Sequence, residues 1–355
     1  MESTGAKRPR FAYIASAVGI PVQGPSGASA HVRDFFRALS TRFDARLFAA
    51  ARTDRRGYFG AEVPAQIGGV YGWPSWLSAF RELREIRSGM SLVHILNQNI
   101  EDTWVPDFIL ERHSLFADVA GSVGRYWGIP WALEVNAPAL EERASFERLI
   151  RKGLAERWQR STLTAAPLVI CVSRWLKRWL EEDYHCKNVH HVPNGVCYRV
   201  GQPTRGRRLL GLSQQDSILG YVGSARTWHG VSRLPGIAKN LGMRLVRIGV
   251  DFSFYDPQDL ADVVSAFDVA VAPYTSQAPP WLSPLKIVLY RSQGVPVVTT
   301  NAGDSRILLG DGGILVERNQ DAEIADAIDS VRGLRFSPWI RSWETVVEEV
   351  EKLMP

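Results

Sequence analysis

The stretch that most constrains the fold of this chain is residues 268–300, DVAVAPYTSQAPPWLSPLKIVLYRSQGVPVVTT. An apolar run of strand length leads into a loop rich in proline and small polar residues. An amphipathic run then follows Ser283 and Pro284 and stops at Gly294, after which a second apolar run begins. Serine at the N-cap, proline at the first helical position and glycine past the last turn predict a helix between two buried strands.

A helix that begins at the carboxyl end of a parallel strand presents free backbone N–H groups at that edge of the sheet, and such groups bind anions. We therefore predict that a diphosphate binds at residues 283–286, which are Ser283, Pro284, Leu285 and Lys286. An ordinary βαβ unit with no ligand fits the same pattern.

The composition is that of a soluble globular protein long enough for two domains, with 355 residues, 45% hydrophobic and 22% charged. The net charge of +5 suits an anionic substrate or a peripheral contact with an anionic membrane. It is too diffuse to indicate nucleic acid. The three cysteines lack metal-type spacing and imply no disulfide framework, so we expect a cytoplasmic protein.

Predicted strands alternate with predicted helices along the chain, which favours parallel sheets with helices on both faces. In the first half the predicted strands are 11–18, 45–51, 91–96, 131–135 and 168–172, and the predicted helices are 29–39, 77–87 and 140–158. A second series of strands and helices begins at Ile218, after a polar stretch that ends near Gly206. We predict a disordered tail over 1–9, which is neither a signal peptide nor a membrane span, and domains over 10–199 and 200–337, with a final helix within 338–355.

The first predicted strand runs into a loop, residues 19–28, that contains three glycines and two prolines. Strand, glycine-rich loop and helix form the opening of a nucleotide-binding unit, and Gly27 and Ala28 would let a ligand approach the backbone closely. The loop lacks a strict G-x-G-x-x-G, so a plain flexible turn is an equal alternative.

Several short motifs together resemble glycosyltransferase family 4. They are GASAHVR at 27–33, LEVNAP at 133–138, VSRWL at 172–176 with VPNGV at 192–196, GYVGS at 220–224 with WHG at 228–230, and APY at 272–274 with SPLK at 283–286. The likeness covers about residues 11–331.

The resemblance implies a GT-B fold, in which two Rossmann-like domains face each other across a cleft and a C-terminal helix crosses back to the N-domain. It also implies transfer of a sugar from a nucleoside diphosphate donor to an acceptor, with retention of configuration and no bound metal or cofactor. By this analogy Glu134, Arg226 and His229 are catalytic, while Asn136 and His31 contact the acceptor or the transferred sugar. A fixed guanidinium and a lysine in the first turn of a helix would stabilise the leaving diphosphate.

Each of these assignments has a structural alternative. For Arg226 the alternative is a solvated surface charge, and for Lys286 an exposed helix residue. His229 could donate to a phosphate, although it carries full charge only below a pKa of roughly 6.5, and its alternative is a capping residue. Glu134 is a candidate base or dipolar stabiliser, and a buried, ion-paired glutamate is the alternative.

The chain departs from the family pattern at Leu289, where relatives carry a glutamate that holds the ribose hydroxyls. Leucine accepts no hydrogen bond, and a lost contact to a ribose costs about 1–3 kcal/mol. Arg291 and Gln293 are also unusual and suggest a reshaped donor side.

The leading hypothesis is a retaining glycosyltransferase that acts on a small-molecule or envelope-glycan acceptor. The alternatives are a catalytically silent protein that binds a partner enzyme or a glycan, and an enzyme of the same fold that couples non-sugar rings. The sequence gives no prediction of oligomeric state.

Overall fold

The computed structural model describes residues 8–24, 26–51, 75–146, 148–254, 256–318 and 320–355. The chain divides into two compact units, one made of Met1–Pro193 with Val347–Pro355 and the other of Asn194–Val346. Each unit has one parallel sheet and helices, which confirms the predicted α/β class with two parallel sheets.

The first unit holds a six-stranded parallel sheet in the order β2-β1-β3-β4-β5-β6. Its strands are β1 (Arg10–Ala15), β2 (Asp44–Ala49), β3 (Phe108–Arg112), β4 (Trp131–Val135), β5 (Val169–Cys171) and β6 (Val189–His191). Its helices are α1 (Gly27–Arg42), α2 (Ser75–Glu101), α3 (Val119–Trp127), α4 (Ala139–Phe146), α5 (Lys152–Ala165) and α6 (Arg174–Glu182). Strands β1, β3 and β4 are buried along most of their length, as expected for a parallel sheet covered on both faces.

The second unit holds a five-stranded parallel sheet in the order β11-β10-β9-β7-β8. Its strands are β7 (Ile218–Val222), β8 (Arg244–Ile248), β9 (Val269–Ala272), β10 (Val297–Thr300) and β11 (Gly313–Val316). Its helices are α7 (Pro203–Leu209), α8 (Leu234–Asn240), α9 (Pro257–Ser265), α10 (Leu285–Ser292), α11 (Ser305–Leu309) and α12 (Asp321–Val331), and α13 (Trp343–Glu351) follows across the boundary of the units. Separate apolar clusters fill the two faces of this sheet.

One predicted strand is wrong, and two strands of the first sheet, β3 and β6, were missed. Residues 91–96 lie inside the long helix α2, because Leu92, Leu96 and Ile100 recur every fourth residue and bury one helical face. The strand that takes this place in the sheet is β3, which pairs with both β1 and β4.

The boundaries of the units also differ from the predicted ones. The division falls between Pro193 and Asn194, rather than at 199, because residues after Pro193 pack on the second unit. Val196 forms a backbone bridge with Ser342, and a Cβ atom at Gly195 would lie 2.7 Å from the Ser342 backbone. At the carboxyl end, Val347–Pro355 belongs to the first unit, where Arg42 of α1 forms ion pairs with Glu348 and Glu351.

Of the predicted tail, residues 1–7 lie outside the described residues. Pro9 is part of the folded unit, since its carbonyl accepts a hydrogen bond of 2.9 Å from the Asp44 backbone.

Candidate functional site

In the second unit, a cluster of cationic and aromatic side chains lies where β7 and β9 end and α10 begins. Gly223 follows β7 with a φ of +134°, which side chains rarely allow, and a Cβ atom there would lie 3.1 Å from Lys286 Nζ. Glycine therefore keeps room beside this lysine. Tyr290 of α10 fixes the helix against β7, because its hydroxyl accepts a hydrogen bond of 2.7 Å from the Val222 backbone.

Lys286 lies in the first turn of α10 with its ammonium group against two tyrosine rings. Its Nζ donates a hydrogen bond of 3.0 Å to the Tyr221 hydroxyl and lies 4.1 Å and 5.2 Å from the ring centroids of Tyr221 and Tyr274. Within the described residues, Lys286 forms no ion pair. Burial lowers the pKa of Lys286 to about 7, because no carboxylate offsets the lost hydration of its charge.

His229 is buried beside the same tyrosines, and its surroundings fix its tautomer. Its Nδ1 lies 2.5 Å from the carbonyl oxygen of Ser224, which can only accept, so Nδ1 carries the proton. Burial first, and then the charge of Lys286, lower the pKa of His229 to about 4. The imidazole is therefore neutral near pH 7, and its Nε2 offers a lone pair rather than a proton.

Arg226 precedes the 3₁₀ turn Thr227–His229 and is exposed. In the described part of the chain its side chain forms no hydrogen bond or ion pair, although its charge is near enough to contribute to the lowered pKa of His229. A guanidinium whose donors are all available, near a half-buried lysine, is suited to hold an anion.

Helix α10 begins at Leu285, one residue later than predicted. Pro284 occupies the N-cap position, and the helix has no side-chain cap, so Ser283 does not cap it. The first-turn amides therefore have no side-chain acceptor from the cap, and this favours an anion there. Leu289 packs against the apolar core of the unit.

The suggestion that Arg291 and Gln293 reshape a donor site is wrong for these two side chains. Arg291 is buried, pairs with Asp311 and lies over the Trp339 ring. Gln293 accepts a hydrogen bond of 3.0 Å from the Gly201 backbone and donates one of 2.9 Å to the Arg199 carbonyl. Both side chains therefore form structural contacts between neighbouring segments of the second unit.

In the first unit, the predicted residues Glu134, His31 and Asn136 lie together. The Glu134 carboxylate is buried at the end of β4, pairs with His31 Nε2, and accepts hydrogen bonds of 2.9 Å from the Tyr13 hydroxyl and from the Asn136 amide. Burial acts to raise the pKa of Glu134, but the neighbouring His31, Arg112 and Asn136 outweigh it and lower that pKa to about 2. Such a carboxylate is a weak base near neutral pH, and its geometry suits the orientation of His31 and Asn136.

Gly27 and Ala28 are the first residues of α1, not a loop, because Ser26 caps the helix by accepting a hydrogen bond of 3.1 Å from the Ser29 backbone. Gly27 is exposed, with open space where a Cβ atom would lie. His31 follows on this helix, so the first turn of α1 and the Glu134 cluster are adjacent.

The structure thus collects Lys286, His229 and Arg226 in one unit, and Glu134, His31 and Asn136 in the other. Sequence reasoning missed Tyr221, Tyr13 and Arg112, which surround these residues. For Arg112, the sequence contains a signal: the short apolar run 108–110 has the composition of a buried strand and is followed directly by a glutamate and an arginine. No group of three or more His, Cys, Asp or Glu side chains in the described residues is arranged to hold a metal ion.

Two family models match the chain. That of Glycosyltransferase Family 4 matches residues 25–198, and that of Glycosyl transferases group 1 matches residues 218–332. The chain belongs to the family 4 glycosyltransferases. No curated protein matches its sequence.

Solved structures of other glycosyltransferases share the fold of this family 4 member. Sucrose-phosphate synthase from Thermosynechococcus elongatus is 16% identical, with 98% of each chain covered and a TM-score of 0.62. WaaG, a glycosyltransferase of lipopolysaccharide biosynthesis, is 13% identical over 90% of each chain with a TM-score of 0.60. Anabaena HepE in complex with UDP and glucose is 16% identical, with 97% of this chain and 99% of that chain covered and a TM-score of 0.56. The fold of this glycosyltransferase is therefore of the GT-B type.

Proposed function

We propose that this glycosyltransferase transfers a sugar from a nucleoside diphosphate donor to a small-molecule or envelope-glycan acceptor, with retention of configuration. The observation that carries the proposal is the Lys286 cluster, at the start of α10. Among the described residues, this half-buried lysine forms no ion pair, and the exposed Arg226 side chain nearby has no partner. A site that holds positive charge and no carboxylate is incomplete without an anion.

Charge develops on the diphosphate as the bond to the sugar breaks. Lys286, Arg226 and the first-turn amides of α10 are the groups that would stabilise this charge. They supply in protein form what a divalent metal supplies in other transferases, so we propose that the reaction needs no metal. His229, with Nδ1–H held by Ser224, would accept a hydrogen bond through Nε2 from a hydroxyl group of the donor.

In the first unit, Glu134 is proposed to act through its neighbours. It fixes His31 and the Asn136 amide, which would then contact the transferred sugar or the acceptor. Gly27 and Ala28 are proposed to let a ligand approach the first turn of α1.

One observation favours a second candidate, a protein that has the fold but is catalytically silent and acts as a partner subunit or glycan-binding module. Leu289 packs against the core where relatives carry the ribose-binding glutamate, so the nucleoside lacks that contact here.

Nucleotide binding separates the two candidates. GDP, UDP, ADP and dTDP are titrated into the purified protein, and the matching sugar nucleotides are tested for slow hydrolysis with and without EDTA. We expect one nucleotide to bind and its sugar nucleotide to be hydrolysed equally in EDTA. No binding by any of the four would favour the silent protein, and loss of hydrolysis in EDTA would contradict metal independence. The anomeric coupling constant of the product, read by proton NMR, tests retention.

A peripheral contact with an anionic membrane is proposed for the exposed face of α2. Phe80, Leu83 and Met90 are 63%, 44% and 66% exposed on this face, and Arg84 and Arg87 lie among them. The acidic residues of the same stretch, Glu82 and Glu85, are buried on the other side. Exposed apolar and basic side chains on one helical face are typical of binding at a lipid surface. No described helix has the length and apolar character to cross a membrane.

Sedimentation with vesicles of phosphatidylcholine, with and without phosphatidylglycerol, tests this contact. We expect binding only to the anionic vesicles and its loss in R84Q/R87Q. The control R244Q/R306Q, which removes two exposed arginines of the second unit, should still sediment. Equal sedimentation of both double variants would contradict the assignment to α2.

A further inference from the structure

Arg112 is a charged residue at the carboxyl edge of the first sheet, and its side chain has no partner among the residues that the structure describes. It is the last residue of the central strand β3, in register with Ala15 of β1 and with Glu134 of β4. Side chains in register on neighbouring parallel strands point to the same face. Arg112 therefore lies beside Glu134 on the face that carries His31 and Tyr13, at the edge of the sheet where α/β proteins bind ligands.

In the described residues, no hydrogen bond or ion pair joins the Arg112 side chain to another side chain or to a backbone group. Its Nε is shielded from solvent and has no acceptor, while the residue as a whole is only half-buried. Two buried arginines of the second unit show the usual arrangement: Arg207 pairs with Asp268, and Arg291 pairs with Asp311. A shielded donor without an acceptor weakens a fold, so its presence calls for a ligand.

Glu134 does not fill this role for Arg112, although it is the nearest acid in register. Its oxygens already take His31, Tyr13 and Asn136, and Arg112 acts on it only through charge, by helping to lower its pKa. The hydrogen-bond donors of the Arg112 guanidinium are therefore available to a ligand.

We infer that Arg112 binds an oxyanion, a phosphate or a carboxylate, carried by the acceptor. The planar guanidinium matches both groups with two parallel hydrogen bonds, which a neutral hydroxyl cannot accept in the same way. This inference deepens the proposed function and rests on it, since it assigns a chemical class to the acceptor of the transferred sugar.

The test is a titration of inorganic phosphate and, separately, of benzoate into the full-length protein at constant ionic strength. The protein is first saturated with the nucleoside diphosphate that binds it, so that the Lys286 site is occupied. We expect one further saturable site in the wild type and an affinity at least tenfold weaker in R112Q. The affinity of R112K should lie between those of the wild type and R112Q, because lysine keeps the positive charge but cannot donate two parallel hydrogen bonds as a guanidinium does. The matched control R125Q changes an arginine of the same unit that already pairs with Asp118, and should bind as the wild type does. The stronger of the two probes identifies the anion class.

Unchanged affinity in R112Q would overturn the inference, as would a wild type with no saturable site for either probe. Loss of nucleotide affinity in R112Q, with anion binding retained, would also overturn it, because Arg112 would then belong to the donor site. Melting temperatures and nucleotide affinities of all variants show whether they fold. If no nucleotide binds, the proposed function fails instead, and the comparison of R112Q with R125Q on the free protein still decides the role of Arg112.

Discussion

At the carboxyl edge of the six-stranded sheet, the Glu134 carboxylate is buried among hydrogen-bond donors and pairs with His31. At the corresponding edge of the five-stranded sheet, Lys286 lies against tyrosine rings and forms no ion pair in the described residues. Both positions place a charged group in the shielded end of a parallel sheet. Around Glu134, the protein's own residues supply the opposite charge and the hydrogen bonds that the carboxylate needs. Around Lys286, the described residues supply no negative charge.

The pKa directions express this difference. The pKa of Glu134 is lowered to about 2, so its charge is stabilised by the fold, whereas the pKa of Lys286 is lowered to about 7, so its charge is destabilised by the fold. We therefore expect changes at Glu134 to appear mainly as lost stability, and changes at Lys286 mainly as lost binding.

The largest expected effect is that of Glu134→Gln on stability. Removing one partner of a buried ion pair leaves the other uncompensated, and we expect a loss of about 3 kcal/mol. The measurement is urea unfolding of wild type and variant, followed over pH. Because the folded pKa of Glu134 lies below its unfolded value, the difference should be complete above about pH 4.5 and vanish as the pH falls towards 2.

Glu156→Gln is the matched control, since Glu156 forms an exposed pair with Lys152 and should change stability by less than about 0.5 kcal/mol. A Glu134→Gln variant as stable as this control would remove the contrast between the two sheet edges.

Lys286→Ala should weaken binding of the nucleoside diphosphate roughly a hundredfold, because a charge-assisted hydrogen bond is worth about 1.5–3 kcal/mol and its loss here leaves the diphosphate uncompensated. Calorimetric titration measures the affinity. Lys239→Ala, an exposed lysine of the same unit, is the control and should bind as the wild type does. Retained affinity in Lys286→Ala would show that this half-buried lysine is structural, like Glu134.

Arg226→Ala should lower turnover at least tenfold while the fold remains intact, because the exposed guanidinium has no structural contact to lose among the described residues. Turnover is followed as release of the nucleoside diphosphate, and the melting temperature reports the fold. Unchanged turnover would refute the role assigned to Arg226.

The architecture was predictable from the sequence because alternating apolar runs and amphipathic segments, with Pro284 and Gly294 as boundaries, predict βαβ units directly. Strand 91–96 was wrong for a physical reason: a short apolar run has the same composition in a strand and in a buried stretch of helix. Only the extension of the pattern to Leu92, Leu96 and Ile100 identifies the helix.

The site was predictable in its residue types but not in its contacts. The motifs led to Lys286, His229 and Glu134, whereas the pairing of Glu134 with His31 and the isolation of Arg112 depend on which strands are neighbours. The order β1-β3-β4 follows from the tertiary fold, and no local pattern encodes it. The same holds for the tautomer of His229, which the Ser224 carbonyl fixes.

The affinity for the diphosphate should fall as the pH rises, because Lys286 loses its proton in the free protein. With the pKa of Lys286 lowered to about 7, the charged fraction drops about fivefold between pH 7 and pH 8, and the affinity should follow it. Titrations at the two pH values measure this. Lys286→Arg, which stays protonated, should show little change, and a wild type as flat as that variant would mean that the lysine is charged throughout.

The smallest expected effect concerns Leu289, the position where the resemblance to family 4 led us to expect a ribose-binding glutamate. Leu289→Glu would restore a carboxylate for the ribose hydroxyls, a contact worth about 1–3 kcal/mol. Part of this gain is offset, because Leu289 packs on the core of the unit and a charged side chain must turn towards solvent. We therefore expect the nucleoside diphosphate to bind only about threefold to tenfold more tightly in calorimetric titrations. Leu289→Gln, which lacks the charge, should gain less. If both variants fold and neither binds more tightly, the ribose is held by other residues, and the leucine no longer favours a catalytically silent protein.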